Sequence, residues 1–325
     1  MLCCSTRLGR SILLLMGLGL GIGTTLVMAK GGPAQYELRA NDYWRVTMPS
    51  GMRFDTSGLA LDAKGRLLTV HDRDPDVWQI HLPKTEGELG SRVAGVSMVT
   101  NCFTRLQLLP FAREKFDRYD TEGLSVDAQG RLYSCEEANR WILRFDPSKT
   151  LVERLPIDWS PVRRFFSSDK NASFEGIAVG DDQRLYVANE RSSARIFVID
   201  INNYKIIDHF EVSPRRSGFS FLHYSDLCWF RGFLFVLCRH QQVVLKVDPR
   251  THQVLAEYDY KKLENAPEHR YQSRYPTGTM EGLAVDDHHF WLLTDNNCET
   301  REQDPKDRRP TLFRCPRPDT AEASK

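Results

Sequence analysis

Residues 122–137 read EGLSVDAQGRLYSCEE, and the rest of the chain repeats them. A short apolar run, Leu124 to Val126, enters the polar turn Asp127-Ala128-Gln129-Gly130, and a second apolar run, from Leu132, leaves it. Two strand-like runs joined by a turn of this composition are the signature of a β-hairpin. The same pattern stands upstream from Ser57 (SGLALDAKGRLLTVHD). It recurs downstream from Glu175 (EGIAVGDDQRLYVANE), Ser225 (SDLCWFRGFLFVLCRH) and Glu281 (EGLAVDDHHFWLLTDN), five copies in all. Self-similarity at a period of this order marks a repeat architecture.

Further strand-like runs follow the hairpins. Third runs stand at Val77 to Ile80, Trp141 to Phe145, Arg195 to Ile199 and Val243 to Val247, and three of them close on an Asp turn at Asp146, Asp200 or Asp248. Fourth runs follow at Leu151 to Ile157, Lys205 to Val212 and Val254 to Tyr260. Four strands per unit is the blade of a β-propeller, so the fold class is all-β, with five repeats visible. The copies start 65, 53, 50 and 56 residues apart, which implies inserted loops, and the first interval has room for a degenerate sixth blade. The last copy has a third strand at Thr311-Leu312-Phe313 and no room for a fourth. Tyr36 to Met48 alternates like a strand without a hairpin partner, so it is expected to complete the last blade and close the ring.

With 44 Lys+Arg against 43 Asp+Glu among 325 residues, the net charge of +1 excludes a charge-driven nucleic-acid binder. The N-terminus carries Arg7 and Arg10 and then 18 uncharged residues, Ser11 to Met28, before Ala29. That is the form of an export signal over 1–29, or of an uncleaved anchor, followed by a single domain over 30–325. The expected location is periplasmic or secreted, with membrane contact only if the segment is kept, and nothing points beyond a monomer. Cys3 and Cys4 leave with the signal. The remaining six cysteines are an even count in an oxidising compartment, and spacing makes Cys102–Cys135, Cys228–Cys238 and Cys298–Cys315 the expected disulfides.

The innermost strand of each blade lines the central channel, so the residues opening the repeats are expected at one mouth. These are Ser57, Glu122, Glu175, Ser225 and Glu281. An antiparallel hairpin returns the end of its second strand to the start of its first, which brings His71-Asp72, Glu136-Glu137, Asn189-Glu190, Arg239-His240 and Asp295-Asn296 to the same face. Carboxylates brought together repel unless a cation or hydrogen-bond donors neutralise them. Calcium takes six to eight oxygen ligands, which Glu122, Glu175, Asn189, Glu281 and Asp295 are placed to supply. The architectural reading stands beside this one: each Glu caps its own blade through backbone N–H groups. Arg239 and His240 give the rim a basic side suited to a small anionic ester, and His71 and His240 are the candidate acid/base groups.

Asp72 to Asp76 (DRDPD) lacks the sixth-position Gly and twelfth-position acid of a calcium loop and reads as a turn. There is no G-x-S-x-G elbow, phosphate-binding Gly-rich loop or H-E-x-x-H. The E-G-[LI]-[AS]-V hairpins ending in pairs such as Asn189-Glu190 resemble the phytase-like β-propeller family with esterase-like activity, over about residues 36–315. More distantly they resemble bacterial propellers named for regulation by a quorum-sensing receptor. The resemblance implies an exported propeller, a calcium requirement and a phosphoesterase or esterase activity at the channel mouth. E-G openings also occur in calcium-dependent lactonases of the gluconolactonase type, in which Glu122 or Glu175, Asn189 and Asp295 have their counterparts. A non-catalytic propeller binding a protein or cell-envelope ligand is the alternative of a different class.

Overall fold

A computed structural model describes residues 32–49, 51–83, 93–111, 119–169, 172–190, 193–215, 221–273 and 278–320. The expected export segment, 1–29, with Cys3 and Cys4, lies outside them. Among the described residues no helix is long and apolar enough to cross a membrane.

Strands β1 (Ala34–Glu37) and β2 (Asp42–Thr47) precede the repeats. The first blade is β3 (Thr56–Leu61), β4 (Leu67–His71), β5 (Asp74–His81) and β6 (Val93–Met98). The second is β7 (Thr121–Val126), β8 (Leu132–Glu136), β9 (Trp141–Asp146) and β10 (Leu151–Arg154). The third is β11 (Phe174–Val179), β12 (Arg184–Asn189), β13 (Arg195–Asp200) and β14 (Lys205–Phe210). The fourth is β15 (Tyr224–Phe230), β16 (Phe233–Cys238), β17 (Val243–Asp248) and β18 (Gln253–Asp259). The last blade holds β19 (Met280–Val285), β20 (His289–Thr294) and β21 (Thr311–Pro316). Within each blade successive strands are antiparallel neighbours.

Four of the five innermost hairpins turn where the sequence places Asp, and the fourth turns at Arg231-Gly232, both with positive φ. Asp62 Oδ1 accepts the Lys64 and Arg66 amides at 2.9 and 2.8 Å, and Asp127 Oδ1 accepts those of Gln129 and Arg131 at 2.9 Å. A carboxylate that caps its own turn in this way fixes the loop without help from the rest of the fold.

The innermost strands follow one another around a ring in the order β3, β7, β11, β15 and β19, and β19 returns to β3. Five hydrophobic clusters fill the five interfaces between adjacent blades, so the core is distributed as wedges around the axis. The long first interval holds the four strands of the first blade, and no sixth sheet is present among the described residues.

The N-terminal segment closes the ring as expected: β2 is antiparallel to β21, with Tyr43 opposite Phe313 and Trp44 opposite Leu312. It does more than that. The segment breaks after Glu37, and β1 joins the fourth blade as a fifth strand parallel to β18, with the Tyr36 and Tyr258 rings stacked at 5.2 Å. β2 also runs parallel to β6, joining the last blade to the first. Trp44 and Val46 are buried in the wedge between those two blades, which is why the strand docks there.

The expected disulfides are not formed: Cys102, Cys135, Cys228, Cys238, Cys298 and Cys315 are all free thiols. In the fourth blade Cys228 stands opposite Phe235 and Cys238 opposite Tyr224. The two cysteines are therefore offset by roughly 10 Å along the ladder, beyond the reach of a disulfide. Cys102 is packed between the first and second blades and Cys135 between the second and third. Cys315 is buried in the wedge between the fourth and last blades, while Cys298 stands half-exposed on a loop. Proximity in sequence misled because Cys228 and Cys238 stand on opposite faces of their blade, in different wedges.

Candidate functional site

Each innermost strand carries a β-bulge at the start of its repeat. In the second to last blades the residue left without a ladder partner is Glu122, Glu175, Ser225 or Glu281, and in the first it is Gly58. A bulge re-aims the side chain it releases, here toward the channel mouth. A second tier lies just past the second strand of each blade. The amides of Asp72, Glu137, Glu190, Arg239 and Asp295 donate to the carbonyls of Asp55, Asp120, Ser173, His223 and Thr279, at 2.7 to 3.2 Å. Those acceptors each stand two residues before a repeat opener and form a third tier.

The tiers enclose a cavity of about 590 Å3. Glu122, Glu175 and Glu281 line it together with Asp120, Glu137, Glu190 and Asp295. Two groups of donors each lie within 4.8 Å of one another: Asp120, Glu122 and Glu137, and Glu175, Glu190 and His223. Burial raises the carboxyls of Glu122 and Glu175 well above the ordinary range, and the charge of Glu137 on the first and Glu190 on the second adds to it. Ser57 Oγ donates to Glu122 Oε2 at 2.7 Å and offsets part of that rise. Asp295 is pushed up to about 8, by burial and then by Glu281.

The opposite side is basic. The Arg239 guanidinium is ion-paired with Glu281, and its Nε donates to Gly278 O at 2.6 Å. Burial raises Glu281 more than Arg239 lowers it, so its carboxyl stands at about 7. Beside Arg239, His240 Nε2 lies 3.2 Å from His223 Nδ1, and His223 Nε2 lies 2.6 Å from Glu190 Oε1. This makes a line of carboxylate, buried imidazole and outer imidazole from the acidic to the basic side.

Of the residues singled out by sequence, Glu122, Glu175, Glu281, Asp295, Arg239 and His240 all line this cavity. Asn189 and His71 do not. Asn189 stands opposite Phe174 and His71 opposite Thr56 in the ladders, one residue short of the tier that faces the channel. The Asn189 amide donates to Ser193 O at 3.2 Å, and His71 Nδ1 accepts the Arg73 amide at 3.1 Å beside the Phe54 ring. Their neighbours Glu190 and Asp72 take the channel positions instead. Asp120 and His223 were missed, although their place two residues before a repeat opener is itself a sequence signal.

The repeat glycine also has a site-level role. A Cβ at Gly58 would lie 2.8 Å from Glu122 O, one at Gly123 2.8 Å from Glu175 O, and one at Gly176 2.7 Å from Asp226 Cα. Adjacent innermost strands approach too closely there for a side chain. The fourth copy alone departs, with Asp226 at the glycine position. Its carboxylate accepts the Leu227 amide of its own strand at 2.8 Å and crosses the ring interior to the amides of Leu283 at 2.7 Å and Leu59 at 3.1 Å.

The family model described as phytase-like, esterase-like activity of phytase, matches residues 55–298. Among solved structures, glutaminyl cyclase from Myxococcus xanthus is similar over 87% of this chain and 97% of its own, with 14% identity and a TM-score of 0.56. A gluconolactonase from Xanthomonas campestris is similar over 80% of this chain and 72% of its own, with 13% identity and a TM-score of 0.43. At 14% identity the likeness to the glutaminyl cyclase is one of fold. No curated protein is a significant sequence match.

Proposed function

The chain belongs to the phytase-like family described by the esterase-like activity of phytase, and from that premise we propose that it is an exported, calcium-dependent hydrolase of small anionic esters acting in the channel-mouth cavity. The observation that carries this reading is the gathering of carboxylates Asp120, Glu122 and Glu137 beside Glu175 and Glu190, with both His223 nitrogens committed to Glu190 and His240. Their donors are carboxylate oxygens, the set a hard divalent cation prefers, and no thiolate stands among them. Glu281 Oε2 is in addition buried without a hydrogen-bond partner. Burial first and neighbouring carboxylates second hold Glu122 and Glu175 above the ordinary range, and a bound cation would favour their charged forms.

Asp120, Glu122, Glu137 and Glu175 would hold calcium, which would supply charge neutralisation and Lewis-acid polarisation of an ester. The chain's own residues do the rest. Arg239, beside His240 and with Arg73 also lining the cavity, attracts the anionic group. His223, fixed by Glu190, orients the His240 ring to take a proton from water or return one to a leaving alcohol. His71 and Asn189 have no part in this scheme. Export rests on the charged start and uncharged run over 1–29.

The test is to assay the purified chain on phytate, aryl phosphates, aryl esters and lactones with and without calcium. Activity lost on chelation and in Glu175→Gln supports the proposal. Inactivity on every substrate with no calcium-dependent rise in melting temperature sinks it. Calcium stabilisation without turnover favours a propeller that binds an envelope ligand.

A further inference from the structure

A second cavity, of about 480 Å3, opens beside the first. Its floor is apolar: Val46, Met48 and Phe54 are buried, with Pro310 next to them, and Met52, 64% exposed, carries apolar surface out to the lip. Its rim is cationic, with Arg53, Lys306, Arg308 and Arg309 set against the carboxylates of Asp304 and Asp307. Four cations to two acids leaves an excess of positive charge above an apolar floor. Arg309 is committed to Asp307 at 2.7 Å and Arg53 to the buried Asp55. Arg308 is exposed and donates to the Cys298 carbonyl, and Lys306 is exposed.

The two cavities share a wall. Asp55 is held from one side by Arg53, which lines the second cavity, and from the other by Arg73 at 3.1 Å, which lines the first. Asn297 faces the first cavity and Cys298 the second. Their chemistry is nevertheless opposite. The first is polar and acid-rich, suited to a cation and a compact anion. The second joins a greasy floor to exposed guanidinium and ammonium groups, and its volume falls in the range of small-molecule sites.

We propose that this second cavity binds an amphiphilic anion, a carboxylate or phosphate monoester carrying an aliphatic or aromatic body, with the body on Val46, Met48 and Phe54 and the head group at Arg308 and Lys306. The apolar body gains by leaving water, and the head group gains charge-assisted hydrogen bonds at the rim. Neither part alone accounts for the site. The inference needs no catalysis in the first cavity.

Calorimetric titration of the full chain with decanoate, decanol and inorganic phosphate tests it. Decanoate is expected to bind one to one, with decanol and phosphate each weaker by about tenfold or more, the worth of losing a charged hydrogen bond or the buried chain. The exposed double change Lys306→Glu and Arg308→Glu is expected to weaken decanoate at least about tenfold without lowering the melting temperature. Glu175→Gln, in the first cavity, is expected to leave decanoate binding unchanged. The proposal is overturned by the absence of saturable decanoate binding, by decanol or phosphate binding equally well, by indifference to the double change, or by loss of binding in Glu175→Gln.

Discussion

The carboxylate of Asp226 accepts the backbone N–H of Leu283 at 2.7 Å, a bond that joins the fourth blade to the last at the centre of the ring. The same oxygen takes the Leu59 amide at 3.1 Å, from a strand that is not a ring neighbour of its own. Replacing Asp226 by Ala leaves two buried amides of other blades without an acceptor. At about 1–3 kcal/mol for each such group, Asp226→Ala is expected to cost roughly 2–6 kcal/mol in urea unfolding, with an unchanged m-value. An unchanged midpoint would show that these bonds contribute nothing. Asp226→Gly, which restores the repeat, is expected to lose as much.

Glycines of the ring and glycines of the turns respond differently to the same change. Gly58 combines a φ of +60° with a neighbouring carbonyl 2.8 Å from its missing Cβ, so Gly58→Ala is expected to cost about 2–4 kcal/mol. Gly65 has a φ of +73° but open space around it, and Gly65→Ala is expected to cost only about 1–2 kcal/mol. Thermal unfolding of the two variants side by side measures the difference. Equal losses would mean that backbone conformation, and not the approach of the strands, selects the repeat glycine.

Arg239 is half-buried in a site crowded with acids, and removing it strands the buried Glu281. Arg239→Met is expected to destabilise the fold by about 3–5 kcal/mol, as for one partner of a buried pair. Adding Glu281→Met should recover much of the loss, because no unpaired buried charge remains. A double-mutant cycle reads the coupling, and independent, additive losses would contradict it.

Without a cation the fold is expected to weaken as the solution becomes alkaline. Glu281 titrates at about 7 and Asp295 at about 8 in the folded chain, against about 4 in an unfolded one. Between those values the folded state holds more protons than the unfolded state, so stability is highest near pH 4–5 and falls as pH rises toward 8. Melting temperatures across that range in the presence of a chelator check the sign. Under the proposed function, calcium reverses the trend by binding the deprotonated form and releasing protons.

Reduction should leave the fold untouched. None of the six described cysteines is bridged, and Cys102, Cys135, Cys238 and Cys315 are buried. Burial pushes the thiols of Cys228 and Cys315 up to about 12. Dithiothreitol is therefore expected to leave the melting temperature unchanged, and a thiol reagent to find half-exposed Cys298 first. A marked drop on reduction would mean that a bridge exists.

The channel acids show how far sequence reading extends and where it fails. Glu122, Glu175 and Glu281 could be assigned to one mouth because each opens a repeat, and a repeat places equivalent residues equivalently. Asn189 was assigned by the count from opener to strand end that reaches Asp295 in the last blade, but the third hairpin has five residues between Val179 and Leu185 where the last has four between Val285 and Phe290, so the same count stops one residue short. In a strand a shift of one residue turns the side chain to the other face, so Glu190 faces the cavity and Asn189 does not. His223 and Asp120 lie before the openers, outside the repeat as it was aligned, and only the hydrogen bonds from Arg239 and Glu137 tie them to it. Cysteine pairing failed for a related reason, since the two faces of a blade contribute to different wedges and Cys228 and Cys238 stand on opposite faces.

The sequence by itself determined the strands, their grouping by four, the turn at each Asp and the closing role of the N-terminal strand, because all of these depend on alternation, turn chemistry and repetition along the chain. Tertiary structure alone decided which polar residues meet and which glycine position could hold an acid. Those outcomes depend on bulges and on the distance between innermost strands, which are set by closing five blades into one ring. Asp226 marks the boundary: its departure from the repeat is visible in a line of letters, but its bonds to Leu59 and Leu283 exist only across the axis.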